Sequence, residues 1–180
     1  INEPAMGAYF AGADAISAIN TIKSVTISEE AKVSDRQTVS GYSGRAVKPI
    51  ALRFILEMAQ NPMMRGRGVR SDHPAHDVLF LGKKQKDKGI ELSGIGGIET
   101  WHDALEFIQL GCSNVQVCTA VMQYGYRIID DLILGLQTYM AERGVAHLDD
   151  LVGELLPQFV KPTDLDRQSI VYPKIDLNRC

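Results

Sequence analysis

Glu91-Leu-Ser-Gly-Ile-Gly-Gly-Ile-Glu-Thr-Trp101 and, after an amphipathic stretch, Gly111-Cys-Ser-Asn-Val-Gln-Val-Cys-Thr-Ala-Val-Met-Gln123 decide the fold. Ile90, Leu92 and Ile95 form a short apolar run that stops at Gly96-Gly97, as a buried strand ends at a turn. Thr100 reads as a helix N-cap with Asp103 three residues on, the spacing of a capping box. Trp101, Ala104, Leu105 and Ile108 then recur at i, i+3, i+4 and i+7, one face of a helix. Gly111 stands where a left-handed C′ residue would end that helix. Val115 and Val117, with Ala120 at the far end, carry a second strand. Two strands joined by one helix make a βαβ unit, so the strands are expected to be parallel.

Both strand ends are suited to an anion. Gly96-Gly97 has no Cβ to hold a ligand away, so backbone N–H groups can approach it closely. Thr119-Ala120 follows the second strand and offers a hydroxyl and further N–H donors. In (β/α)₈ barrels the loops after strands seven and eight commonly form a phosphate site. The alternative is that Gly96-Gly97 is only a tight turn.

The 180 residues suffice for one domain with a real core, and 45 % of them are hydrophobic, an ordinary globular share. A net charge of −3 gives no general attraction for nucleic acid or acidic membranes. No stretch of about 18 apolar residues would span a bilayer, and no secretion signal is visible. Three widely placed cysteines, Cys112, Cys118 and Cys180, argue against a disulfide framework and for a reducing, cytoplasmic setting. The chain opens on Ile1 and closes on Cys180, so it is expected to be a fragment of a longer protein.

Along the rest of the chain, Glu3 to Ala11 is a small-residue helix closed by Gly12, and Ala13 to Ile19 a buried strand ending at Asn20-Thr21. Lys23 to Val39 reads as a long loop over an active face, and Ser40 to Gly44 as a glycine-rich turn. Pro49 opens a helix with Ala51, Phe54, Ile55 and Met58 on one face. Asn61 to Gly89 is an insertion with Arg65, Arg67, Arg70, Lys83, Lys84, Lys86 and Lys88 around Asp72, His73, His76 and Asp77. Two histidines beside carboxylates could hold a metal; a solvated loop is the simpler reading.

Tyr124 to Arg143 forms a helix whose Ile129, Leu132, Ile133, Leu136, Tyr139 and Met140 make a core-packing stripe. Gly144 ends it, a short helix spans His147 to Leu156, and Phe159 to Cys180 is an extended linker. The alternation of helix and strand predicts a parallel α/β sheet. About three strands cannot close a barrel, so the fold expected is the C-terminal portion of a (β/α)₈ (TIM) barrel. Residues 1–145 would be barrel, with the 60–89 insertion, and 146–180 the helix and linker.

Three motifs carry a family resemblance. Gly41-Tyr-Ser-Gly-Arg-Ala-Val-Lys-Pro-Ile-Ala-Leu-Arg53, Gly94-Ile-Gly-Gly-Ile98 and Val115-Gln-Val-Cys-Thr-Ala120, behind Ala18-Ile-Asn-Thr21, resemble the flavin-binding barrel of the dihydropyrimidine dehydrogenases. The similarity is strongest to the bacterial NAD-dependent form, which carries flavin mononucleotide (FMN) and a ferredoxin-like C-terminal part; dihydroorotate dehydrogenases share the barrel. The resemblance covers nearly the whole chain outside Asn61 to Gly89.

The resemblance implies reduction of uracil or thymine at C5–C6, with electrons from a nicotinamide coenzyme, bound by an FAD/NAD-binding partner subunit, reaching FMN through [4Fe-4S] clusters. It implies that Gly44, Gly96, Gly97, Thr119 and Ala120 hold FMN, and that Asn20 and Thr21 contact the pyrimidine base. A carboxamide suits that base, having both a donor and an acceptor. Without the family, Asn20-Thr21 is an ordinary strand-end turn.

The family's general-acid cysteine has no counterpart here, and Cys112 and Cys118 read instead as small buried hydrophobes. No catalytic residue is therefore assigned, and the chain alone is expected to be inactive. Cys180 falls where the family's first cluster cysteine begins its run, but one thiolate cannot hold a cluster that needs four. A dihydroorotate dehydrogenase-like enzyme and a non-redox phosphate-binding barrel are the rival readings, since one barrel hosts many chemistries.

Overall fold

The computed structural model describes residues 1–27, 38–61, 64, 79–80, 83–84 and 89–166. Strands β1 (Ala15–Ala18), β6 (Glu91–Ile95) and β7 (Cys112–Gln116) form a sheet in the order β1-β6-β7, parallel throughout. Helix α3 (Trp101–Gln109) crosses from β6 to β7, so the predicted βαβ unit is present. Its start is chemically fixed: Thr100 Oγ1 accepts from the Asp103 amide at 3.3 Å and Asp103 Oδ2 accepts from the Thr100 amide at 2.8 Å, a complete capping box. Its end is fixed by Gly111 at φ 108°, which a Cβ would disfavour.

Helix α1 (Asn2–Phe10) packs on helix α2 (Lys48–Ala59), and α2 packs on β6 and β1. A single 3-10 turn, Arg45–Val47, leads into α2, and proline sits in its first turn, where no amide partner is lost. Ala51, Ile55 and Met58 of α2 and Phe107 of α3 are fully buried against Leu92 and Cys112. One face of the sheet is thus sealed by α2 and α3. The other face is polar: Gln116 Nε2 donates to Ser17 Oγ and to Ser93 Oγ, each at 2.8 Å, and Ser93 Oγ donates to Asn114 Oδ1. One carboxamide therefore ties all three strands together.

Several elements differ from the sequence reading. β1 is not buried: only Ala18 is, because Ala15 and Ser17 lie on the open polar face. The loop from Lys23 and the turn from Ser40 are the two arms of an antiparallel hairpin, β2 (Ile22–Ser24) with β3 (Ser40–Tyr42). Residues 28–37 between them lie outside the described residues. Of the 60–89 insertion, β4 (Leu79–Phe80) and β5 (Lys83–Lys84) form a second small hairpin. His73, His76, Asp72 and Asp77 lie outside the described residues, among which no group of metal-ligating side chains occurs.

Ala120 is not in a strand: β7 stops at Gln116, and α4 (Thr119–Tyr124) follows. Gly125, at φ 79° and ψ 177°, breaks the predicted Tyr124–Arg143 helix, so α5 runs from Ile128 to Arg143. Gly144 ends α5 in the left-handed conformation. Its buried stripe is Ile128 and Leu132, with Leu136, Tyr139 and Met140 packed alongside. Ile129 and Ile133 point away, 38 % and 50 % exposed.

The expected short helix at 147–156 is a pair of 3-10 turns, Leu148–Leu151 and Leu156–Gln158. They dock through Gly153 N to Ile108 O at 3.0 Å and Leu155 N to Gln109 O at 3.1 Å. Arg143 reinforces this, donating to Glu154 Oε1 at 2.8 Å and to the Tyr139 hydroxyl at 2.6 Å. No described helix is long and apolar enough to cross a membrane.

Candidate functional site

Because the sheet is parallel, the C-terminal ends of β1, β6 and β7 lie at one edge. There Asn20 and Thr21 follow β1, Gly96 and Gly97 follow β6, and Thr119 and Ala120 follow β7. Gly44 comes in from the turn after β3. All seven line one cleft of about 250 Å³, with Ile19, Ser43, Val47, Ile95, Ile98, Glu99, Gln116, Cys118 and Met122 completing its wall. Every residue that the sequence assigns to the flavin or the pyrimidine is therefore brought to one place; Cys180 lies outside the described residues.

The cleft's donors are backbone groups. The amides of Gly44, Gly96, Gly97, Thr119 and Ala120 donate to no backbone carbonyl among the described residues, so they remain available. The Thr119 hydroxyl donates to Ser43 Oγ at 3.2 Å, linking the end of β7 to the turn beside Gly44. A row of unpaired amides in a small cleft suits a phosphate or another compact anion.

The glycines serve the cleft differently from the simple expectation of open space. A Cβ on Gly97 (φ 78°) would stand 2.8 Å from Lys48 Cβ, 2.9 Å from Gly44 O and 2.9 Å from Lys48 N. A Cβ on Gly96 (φ 126°) would meet Ala51 Cβ at 3.1 Å and Ile19 Cγ1 at 3.3 Å. The missing side chains let the turn after β6 press against the start of α2. The space that a side chain at either glycine would take is filled by protein.

Beneath this contact lies an ion pair that sequence reading missed. Lys48 Nζ is 2.5 Å from Asp103 Oδ1 and 2.8 Å from Glu106 Oε2. Asp103 Oδ2 meanwhile accepts from the amides of Glu99 at 3.0 Å and Thr100 at 2.8 Å, and from Thr100 Oγ1 at 2.9 Å. Burial raises the Asp103 pKa, but the Lys48 hydrogen bond and those amides outweigh it and hold the carboxyl below its ordinary value. Burial likewise opposes the Lys48 charge, and its hydrogen bonds to Asp103 and Glu106 leave its pKa above ordinary. Asp103 was legible as a cap, but no local signal tied it to a lysine 55 positions away.

At the end of β1, Asn20 Oδ1 accepts from the Thr21 amide at 2.7 Å and from Thr21 Oγ1 at 3.4 Å. The carboxamide oxygen is engaged locally and Nδ2 is the group left over. Both residues are exposed. The two cysteines differ. Cys112 opens β7, fully buried, and burial pushes its pKa up to about 12. Cys118 caps α4, is exposed and faces the cleft, so the buried-hydrophobe reading fails for it. The reason is that the chain leaves the sheet at Gln116, two residues before Cys118.

Comparison with known proteins agrees with the motifs. Residues 73–140 match the family model described as dihydroorotate dehydrogenase. The chain is 45 % identical, over 99 % of its length, to the NAD-dependent dihydropyrimidine dehydrogenase subunit PreA of Escherichia coli K12, covering 39 % of that protein. It is 37 % identical to the chloroplastic dihydropyrimidine dehydrogenase (NADP(+)) of Arabidopsis thaliana, over 92 % of the chain and 35 % of the relative. It is 34 % identical to the catalytic subunit of dihydroorotate dehydrogenase B (NAD(+)) of Thermococcus kodakarensis, over 85 % of the chain and 42 % of the relative. The chain thus spans about two fifths of the length of these relatives, and the resemblance read from its motifs holds. Its α/β architecture, three parallel strands with their helices, is consistent with part of a (β/α)₈ barrel of the dihydroorotate dehydrogenase family.

Proposed function

We propose that this chain forms the phosphate-side part of the active site of an FMN-dependent oxidoreductase that reduces uracil or thymine to the 5,6-dihydropyrimidine. The observation that carries the reading is the single cleft in which Asn20, Thr21, Gly44, Gly96, Gly97, Thr119 and Ala120 meet at three parallel strand ends. The unpaired amides fit the FMN phosphate. Bound there, the flavin would supply hydride chemistry at its ring. The chain's own residues would do the rest. Gly96, Gly97, Thr119 and Ala120 would donate to phosphate oxygens, and the Ser43–Thr119 hydrogen bond would keep the two loops in register. Asn20 Nδ2 would donate to a pyrimidine carbonyl while its Oδ1, held by Thr21, fixes the carboxamide's direction.

The names of the relatives support further parts of the reading. One is a subunit of an NAD-dependent enzyme and another a catalytic subunit, so a hetero-oligomer with an FAD/NAD-binding partner subunit is proposed here. The proposed electron path runs from that partner through [4Fe-4S] clusters, for which Cys180 would be a first ligand. Residues 146–180 would lead toward the cluster domain. Unpaired Cys112 and Cys118 suit a cytoplasmic setting.

The direct test uses the full-length protein. Co-purified flavin should be FMN, and NADH oxidation by the protein together with its partner subunit should depend on added uracil or thymine. Protein without flavin and without pyrimidine-dependent turnover refutes the proposal. The family match and the dihydroorotate dehydrogenase relatives favour one second reading: dihydroorotate oxidation by the same cleft. Turnover with dihydroorotate and none with uracil would decide for it.

A further inference from the structure

We infer that Lys48 and Asp103 are positioning residues for the anion site, an ion-pair clamp that holds the Gly96-Gly97 amides at the geometry a phosphate requires. The inference rests on the FMN reading above and extends it to two side chains outside the cleft wall.

Two turns must be held together for the cleft to have a phosphate end. One carries Gly44 and runs into α2; the other carries Gly96 and Gly97 and runs into α3. Lys48 belongs to the first and Asp103 to the second. The carboxylate divides its work: Oδ2 takes the amides of Glu99 and Thr100, which end the glycine turn, and Oδ1 takes the Lys48 ammonium at 2.5 Å. The lysine stem lies where a Gly97 side chain would be, 2.8 Å from an added Cβ. The same lysine therefore supplies the packing that requires glycine and the charge that locks the turn.

Burial makes the arrangement stiff. The Asp103 side chain is 5 % exposed and that of Lys48 18 %, so neither charge has water as an easy substitute. Glu106, at 2.8 Å, sits on the same ammonium from the more exposed side. With two carboxylates on it, Lys48 is not a free cation for the ligand. Its contribution to phosphate binding runs through the amide directions. Hydrogen-bonded anion sites lose affinity steeply when their donors move by a fraction of an ångström.

The test measures FMN and riboflavin binding to the full-length apoprotein by flavin fluorescence, with Lys48→Met, Lys48→Gln and Lys48→Arg beside the wild type. Riboflavin lacks the phosphate, so it reports the ring site alone. Lys48→Met should weaken FMN by about tenfold or more and leave riboflavin affinity unchanged. Lys48→Arg, which keeps a donor for Asp103, should recover most of the FMN preference. If Lys48→Met does not fold, Lys48→Gln is read by the same ratio. A wild-type preference for FMN that persists in the uncharged variants overturns the clamp. A wild type that binds FMN no more tightly than riboflavin overturns instead the phosphate reading on which the clamp rests.

Discussion

Gly97→Ala separates the two reasons a glycine can be required. The backbone there has φ 78°, and an alanine Cβ would lie under 3 Å from Lys48 Cβ, Gly44 O and Lys48 N. The left-handed backbone alone costs an L-residue about 1–2 kcal/mol. The overlap adds about 1–3 kcal/mol, the usual range for overpacking, because two of the three atoms met are backbone and cannot rotate away. The expected loss is therefore about 2–5 kcal/mol, a large part of the roughly 5–15 kcal/mol that holds a typical domain together.

Gly144 provides the internal control. It has φ 66°, and a Cβ there meets nothing within 4 Å. Gly144→Ala should cost only the backbone share, about 1–2 kcal/mol. Urea unfolding of the 180-residue chain, followed through its one tryptophan, Trp101, reads both. At a slope of about 1–3 kcal/mol per molar, the Gly97→Ala midpoint should fall clearly below that of Gly144→Ala. Equal midpoints for the two variants would show that the turn after β6 yields freely, and would refute the close-packing account of the cleft.

Other expectations follow from the same geometry. Asn20→Ala in the full-length protein should cost about 1–3 kcal/mol in kcat/KM for the pyrimidine, the usual loss when a buried partner is left unsatisfied; unchanged kinetics would remove Asn20 from the site. Thiol labelling at pH 8, read by mass spectrometry, should modify Cys118 and spare Cys112, whose pKa is pushed up to about 12 by burial; equal labelling would contradict the burial of Cys112. The depressed Asp103 pKa means the folded state binds fewer protons than the unfolded one near pH 4. Its stabilising share is present above the ordinary carboxylate pKa of about 3.9 and disappears as pH falls through the lower folded value. Lys48 is the mirror case: its share is present below about 10.4 and lost as pH rises through its raised folded value. Asp103→Asn should lower stability at pH 7 by about 1–3 kcal/mol and flatten the acid limb, as urea midpoints across pH 2–7 would show.

The parts of the fold visible in the sequence were those whose cause is local. Alternating apolar runs and helical faces gave the parallel βαβ unit, and Thr100 with Asp103 marked the start of α3 to the residue. Gly111 and Gly144 marked two helix ends. What could not be read depends on partners distant in sequence. The hairpin of β2 and β3 needs two polar arms to meet across residues 28–37. Ile129 and Ile133 have helical spacing with Leu132 and Leu136, yet only a neighbour can decide which of them is covered. The placement of the seven cleft residues together followed from the parallel sheet and the motifs. The clamp under the glycines did not, because a lysine and an aspartate far apart in sequence carry no sign of each other.

The sheet itself explains why the cleft can be both rigid and polar. Its covered face is locked by close-packed apolar groups, Phe107 against Leu92 and Cys112 among them. Its open face is tied by Gln116, whose single amide group bridges Ser17 on β1 and Ser93 on β6. Ser17, Ser93 and Gln116 sit three positions before Asn20, Gly96 and Thr119, respectively. A strand cannot slide without breaking a Gln116 hydrogen bond, and a one-residue slip would also turn its side chains to the wrong face. The side-chain bridge fixes the strand ends laterally, and the Lys48–Asp103 pair fixes the glycine turn against α2. Together they supply what a row of backbone amides lacks by itself, a fixed direction in which to donate.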